Sequence, residues 1–187
     1  SAGSGKKRFE WINLIVWILI AILLRWQIIE PRWIPSGSML PTLDIQERIL
    51  VEKLTPKINK LLKKTVTRKS IIVFKPPKSL ISAGFDQNSA LIKRIVGVPG
   101  DEIEVKNGSI IINGEKIIEP WLKEGINYEI PLFKLPENSY WVLGDNRNNS
   151  LDSHIWGPLP AENIIGKAVF RYWPLDKIGP IRFSAST

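Results

Sequence analysis

The sequence predicts a mainly β protein, an antiparallel β-rich body behind one long apolar helix. Three features carry that prediction. Short β-branched runs recur with turn residues between them, two Asn-Gly pairs stand at hairpin positions, and an apolar run lies near the N-terminus. No strand-like run is followed by a long amphipathic helix, which disfavours a parallel α/β sheet.

The apolar run comes first. "WINLIVWILIAILL", residues 11–24, is interrupted only by Asn13. Extended to residues 9–29 it reaches about 31 Å as a helix, close to the hydrocarbon thickness of a bilayer. Arg25 and Gln27 break its far end, where an arginine can snorkel toward headgroups, and Trp11, Trp26 and Trp33 flank it as interfacial aromatics do. A buried core helix is the competing reading, because the uninterrupted part is short for a span. A cleaved signal peptide fits less well, since no small-x-small site follows in "RWQIIEPRWIP". Lys6, Lys7 and Arg8 precede the run, while Arg25 and Arg32 follow it beside Glu30. That bias places the N-terminus in the cytoplasm and the remainder across the membrane. Residues 1–8 are thus read as a cytoplasmic N-terminus in which "SAGSG" resembles a cloning scar, and residues 9–29 as a transmembrane anchor.

The β body is expected over residues 30–106 and 137–187. "RILVEK", "SIIVFK", "LIKRIV", "EIEVK", "SIII", "YWVLG" and "KAVFRYW" are the expected strands. Asn107-Gly108 joins two of them and Asn113-Gly114 follows the second, the dipeptide that two-residue hairpin turns favour. Residues 107–136, rich in turn formers, read as a small β insert or cap. "TPKINKLLKK" reads equally as a short helix or a solvated loop.

Bulk composition narrows the function. The 187 residues carry a formal net charge of +8, much of it within residues 53–69. No nucleic-acid-reading motif accompanies that charge, so it points to a membrane-facing or merely solvated surface. Cysteine is absent, which excludes disulfides and thiolate zinc sites, and His154 is the single histidine, which excludes a histidine-based metal cluster.

Three polar stretches stand out against this background. "PSGSMLP", residues 35–41, fences two serines and a glycine with prolines, which makes a shaped loop. Such a loop suits a plain turn, a helix cap or the seat of a nucleophile. In "ALIKRIVGVPGD" a lysine and an arginine lie inside an aliphatic run. As a strand it puts Leu91, Lys93 and Ile95 on one face and Ile92, Arg94 and Val96 on the other. A guanidinium stays protonated, whereas a desolvated ammonium can become a base. An ordinary lysine is neutral in about one molecule in 2,500 at pH 7, and a pKa near 8 raises that to about one in ten. A strand lysine snorkelling to water is the alternative. The third stretch, "GDNRNNSLDSHIWG", is either a solvated loop or a self-satisfied polar network that fixes a neighbouring site.

In this order, "SGSMLPTL", "IKRIVGVPGD" and "GDNRNNSLDSHIWG" resemble the serine box, the lysine box and the third, structural box of the type I signal peptidases. These are membrane-anchored Ser/Lys proteases that remove signal peptides from exported proteins, and the resemblance runs from about residue 34 to residue 173. It implies a signal-peptidase-like fold, with Ser38 as nucleophile and Lys93 as general base. Ser36 would supply an oxyanion-hole hydroxyl beside the Ser38 backbone N–H, and Ser150 would hydrogen-bond and orient the lysine amine. Asp145, Arg147 and Asp152 would frame the pair. Two positions depart from the family pattern. His154 stands where arginine is common, so its ion pair with Asp152 would weaken above neutral pH. Leu91 stands where an aromatic is frequent.

The implied activity is a serine endopeptidase on the trans side of a plasma or thylakoid membrane, cutting preproteins after small residues at the first and third positions before the cut. The substrate would lie extended against Ile34 and Pro35. No cofactor, metal or nucleic acid is implied, the partners are secretory preproteins and the lipid membrane, and oligomeric state is not legible. A self-cleaving Ser/Lys protease fits less well, because an anchor is present and a helix-turn-helix is not. The non-enzymatic alternative is a basic surface-binding β module with its serines in a turn and Lys93 exposed.

Overall fold

The computed structural model describes residues 3–62 and 64–181. Helix α1, Gly3–Ile28, passes directly into strand β1, Ile29–Trp33. Strand β2 (Arg48–Glu52), helix α2 (Leu54–Leu61), strand β3 (Ile71–Phe74), helix α3 (Lys78–Ser82) and strand β4 (Leu91–Gly97) follow. Next come β5 (Glu102–Lys106), β6 (Ser109–Ile112), β7 (Glu115–Lys116), β8 (Ile130–Lys134) and β9 (Ser139–Leu143). The chain ends with helix α4 (Ser153–Trp156) and strands β10 (Leu159–Pro160), β11 (Ile164–Trp173) and β12 (Gly179–Pro180). One sheet runs β1-β2-β11-β3-β4-β9-β10 with β12 on β11, the other β7-β6-β5-β8. The strand pairs are antiparallel, as the absence of β-α alternation leads one to expect.

Each expected strand run forms a strand. The two Asn-Gly pairs turn the hairpins β5–β6 and β6–β7, with positive φ at Asn107, Gly108, Asn113 and Gly114. This is the backbone a type I′ turn requires and the reason those residues sit there. β3 is central and buried on both faces. By alternation Ile71 and Val73 join a cluster with Ile34, Met39 and Ile92, while Ile72 and Phe74 join another with Ile95, Tyr140 and Val142. A third cluster, of Val96, Ile103, Val105, Ile110 and Trp141, ties the second sheet to the first.

Some strands escape the sequence pattern. β1 (IEPRW) sits behind the apolar run and carries Pro31, which an edge strand tolerates, and it is the edge of its sheet. β8 carries Pro131 and is likewise an edge. The second sheet covers residues 102–134, beginning at Glu102, five residues before Asn107. The segment read as helix or loop is a helix, α2.

The N-terminal expectation is met only in its helix. Residues 10–23 of α1 are exposed, so α1 is not a buried core helix. Among the described residues no helix is long and apolar enough to cross a membrane. The apolar stretch of residues 11–23 reaches about 20 Å, against about 30 Å of hydrocarbon. The side chains of Lys6, Lys7, Arg8 and Trp26, which entered the orientation and interface readings, lie outside the described residues, as do residues 1 and 2 of the scar reading.

Candidate active site

Ser38 occupies a single 3-10 turn, Gly37–Met39, that follows the extended Ser36 and buries both Ser38 and Met39. β4 delivers the partner. Strand alternation turns Lys93 and Arg94 to opposite faces, and both are buried, at 2% and 1% exposure. The Lys93 ammonium donates to Ser38 Oγ at 2.7 Å. Burial pushes its pKa down to about 8, although Asp152 and then Asp145 pull the other way. Ser36 is exposed, and its hydroxyl lies 3.4 Å from that of Ser38.

The third polar stretch wraps this pair. Asn146 N–H donates to the Ser38 carbonyl at 3.0 Å and its side chain to the Gly37 carbonyl at 3.2 Å, so the loop is pinned from outside. Asp145 receives Arg94 through Nε at 2.7 Å and Nη2 at 2.5 Å, and also the Thr42 hydroxyl. Arg147 forks onto Glu119 at 2.5 and 2.7 Å and donates Nε to the Gly144 carbonyl at 3.0 Å. Asp152 accepts the Gly144 N–H at 2.8 Å and His154 Nδ1 at 2.6 Å. His154 stacks on Tyr128 with ring centroids 4.2 Å apart. Burial and the Asp152 charge raise the Tyr128 pKa, which keeps that ring neutral.

Gly144 is where the frame meets the serine. A Cβ there would fall 2.2 Å from Ser150 Oγ and 2.4 Å from the Ser38 carbonyl oxygen, so glycine is required by close approach.

Several expectations need correcting or extending. Ser150 is buried beside Gly144, but its hydroxyl has no hydrogen-bond partner, so the bond to the lysine amine is not formed. Ile34 is buried in the core, its N–H donates to the Glu47 carbonyl and its carbonyl accepts from Gln46, whereas Pro35 is exposed. A substrate strand therefore cannot pair with the Ile34 backbone without displacing these bonds. The alternative with Lys93 on an exposed basic surface is overturned by its burial. Asn146, Thr42 and Glu119 escaped sequence reasoning, and only the polarity around Asn146 hinted at its role. Among the described residues no group of acidic or histidine side chains could hold a metal ion.

An antiparallel β body carrying a hydroxyl hydrogen-bonded to a buried amine has the parts a serine hydrolase needs to work without histidine. Residues 8–173 match the family described as signal peptidase, peptidase S26. The chain is 42% identical over 173 residues to a probable signal peptidase I-1 of Synechocystis sp., covering 90% of this chain and 83% of that protein. It is 42% identical over 164 residues to a signal peptidase I of Leptolyngbya laminosa, covering 88% and 78%. It is 43% identical over 164 residues to a probable thylakoidal processing peptidase 2, chloroplastic, of Arabidopsis thaliana, covering 88% of this chain and 43% of that protein. This chain belongs to the signal peptidase family, peptidase S26.

Proposed function

We propose that the chain is a serine endopeptidase that removes signal peptides from preproteins, with Ser38 as nucleophile and Lys93 as general base. The observation that carries this reading is the 2.7 Å hydrogen bond between Lys93 Nζ and Ser38 Oγ in a buried setting. With a pKa near 8, about one lysine in ten is neutral at pH 7, enough to accept the Ser38 proton as Oγ attacks the scissile carbonyl. The resulting ammonium then protonates the leaving amine, and a water repeats the cycle on the acyl-enzyme. The developing oxyanion would meet the Ser38 N–H and the Ser36 hydroxyl, which the exposed Ser36 can present to it. Asp145, Arg147 and Asp152 act as positioning residues, through Arg94, Glu119 and Gly144. Ser150 packs against Gly144 in that frame.

The substrate lies extended past Ile34 and Pro35, meeting the exposed Pro35 rather than pairing with the engaged backbone of Ile34. Small residues at the first and third positions before the cut suit so closely packed a loop. α1 is the membrane anchor in this reading, supported by its exposed apolar side chains and by the likeness to a thylakoidal processing peptidase. The described apolar stretch is shorter than a bilayer, so the span draws on the residues that flank it. Ser38 lies nine positions after Ile29, which keeps the site within about 30 Å of the anchor's end. The catalytic body would then lie on the trans side of a plasma or thylakoid membrane, with residues 107–136 as an insert within it.

The test is cleavage of a preprotein-like peptide with alanine at the first and third positions before the cut. Ser38→Ala is expected to lower kcat by at least about 10⁴-fold with the fold intact. Unchanged cleavage would overturn the reading.

A further inference from the structure

Helix α2 presents its apolar face outward. Leu54, Ile58, Leu61 and Leu62 follow helical spacing along one stripe, and they are 43%, 41%, 82% and 55% exposed. Pro56 and Asn59, on the opposite side of the helical wheel, are the partly buried ones. Lys57 is exposed beside the stripe, Lys60 is exposed on the polar side of the helix, and Lys64 is exposed just beyond its end. A surface helix of a globular body normally does the reverse and turns its apolar stripe inward.

The place of α2 explains what the stripe faces. β2 brings the chain back alongside β1, so Glu52 is paired with Ile29, and Lys53 N–H donates to the Ile28 carbonyl at 2.8 Å. α2 therefore starts where α1 ends. The Lys53 ammonium meets Glu30 at 3.2 Å, and the Glu52 carboxylate receives the Thr55 N–H at 2.6 Å, which ties that corner together.

We infer that α2 is an interfacial helix that lays its leucines and Ile58 into the surface of an anionic membrane beside the end of α1, with Lys57, Lys60 and Lys64 facing lipid phosphates. An outward apolar stripe on a helix whose polar residues are mainly lysines is the pattern of a helix lying in the plane of a membrane surface. A second contact fixes the rotation of the body about the anchor, and with it the height of Ser38 above the lipid. The inference rests on the membrane-anchored reading, and its test judges the two separately.

The chain has no cysteine, so single ones can be introduced into the full chain at will. Ile58→Cys, Trp17→Cys and Ile118→Cys, each carrying an environment-sensitive fluorophore, would be reconstituted into vesicles containing a lipid-borne quencher. The lipid would be phosphatidylcholine alone or mixed with phosphatidylglycerol. Trp17 lies on α1, and Ile118 is an exposed position beyond β7. The probe at position 58 should be blue-shifted and quenched in the anionic mixture, several-fold less so in neutral lipid or high salt, and the probe at 118 should not be quenched at all. Converting Lys57, Lys60 and Lys64 together to glutamine should reduce quenching at 58 to its neutral-lipid level, since each near-surface lysine contributes about fivefold in affinity. A probe at 58 that behaves like the one at 118 overturns the inference while quenching at 17 upholds the anchor. An unquenched probe at 17 overturns the anchor, and quenching at 58 then still decides for or against α2. A blue shift at 58 that grows with protein concentration in neutral lipid identifies a second copy as the occupant and also overturns it.

Discussion

Lys93 and Arg94 are neighbours on one strand, both cationic and both buried, and the fold treats them in opposite ways. Arg94 is given a fork onto Asp145, the Lys69 carbonyl at 2.9 Å, the Thr42 hydroxyl at 3.3 Å and the face of Trp121 at 4.7 Å. Lys93 is given one hydroxyl, that of Ser38. A buried charge with full pairing stays a charge, whereas one with a single neutral partner is under pressure to lose its proton. The comparison teaches that burial with few partners is what lowers the Lys93 pKa, the property its proposed role as base requires. Of the two carboxylates whose charge bears on Lys93, Asp145 is committed to Arg94 and Asp152 is turned to Gly144 and His154.

Breaking the well-paired member should cost most. Arg94→Met leaves Asp145 buried without its cation, and denaturant unfolding should show a loss of about 3–5 kcal/mol. Arg94→Lys should recover only part of it, because an ammonium cannot reproduce the fork. Breaking the under-paired member should do the opposite. Below about pH 8 the amine is protonated both folded and unfolded, so the cost of burying its charge is fully present there. It is relieved as pH rises from about 8 toward the ordinary lysine value of 10.5. Lys93→Met should therefore abolish cleavage yet stabilise the protein at pH 7 by up to about 3 kcal/mol, an advantage that fades by pH 10.5. Unfolding curves at the two pH values check the sign. The smallest effect is expected at the joint between the two pairs. Gly144→Ala presses on the Ser38 carbonyl while leaving the Asp145 fork in place, and should cost about 1–3 kcal/mol of stability. A shift of the serine of order 1 Å would also lower kcat by about 100-fold with little change in KM.

Much of this was legible in the sequence, and the part that was not has a common cause. Strands and hairpins announce themselves locally, through β-branched alternation and Asn-Gly turns. Ser38 and Lys93 stood out because a fenced serine and an embedded lysine are locally odd. The bond between Arg94 and Asp145 joins residues 51 apart, and that between Arg147 and Glu119 residues 28 apart, distances over which no spacing rule operates. β1 and β8 were hidden because a proline in a strand reads as a break until an edge position excuses it. The outward stripe of α2 was hidden because a sequence shows the stripe of a helix without showing which way it faces.

The most direct test of the central claim is the pH dependence of kcat/KM for the signal-peptide substrate, which reports the base in the free enzyme. The expected profile rises through a midpoint near 8 and then levels, as a lysine depressed by burial would give. A limb that climbs only toward 10.5 would show an ordinary, hydrated lysine, and would contradict the claim that burial with few partners lowers the Lys93 pKa.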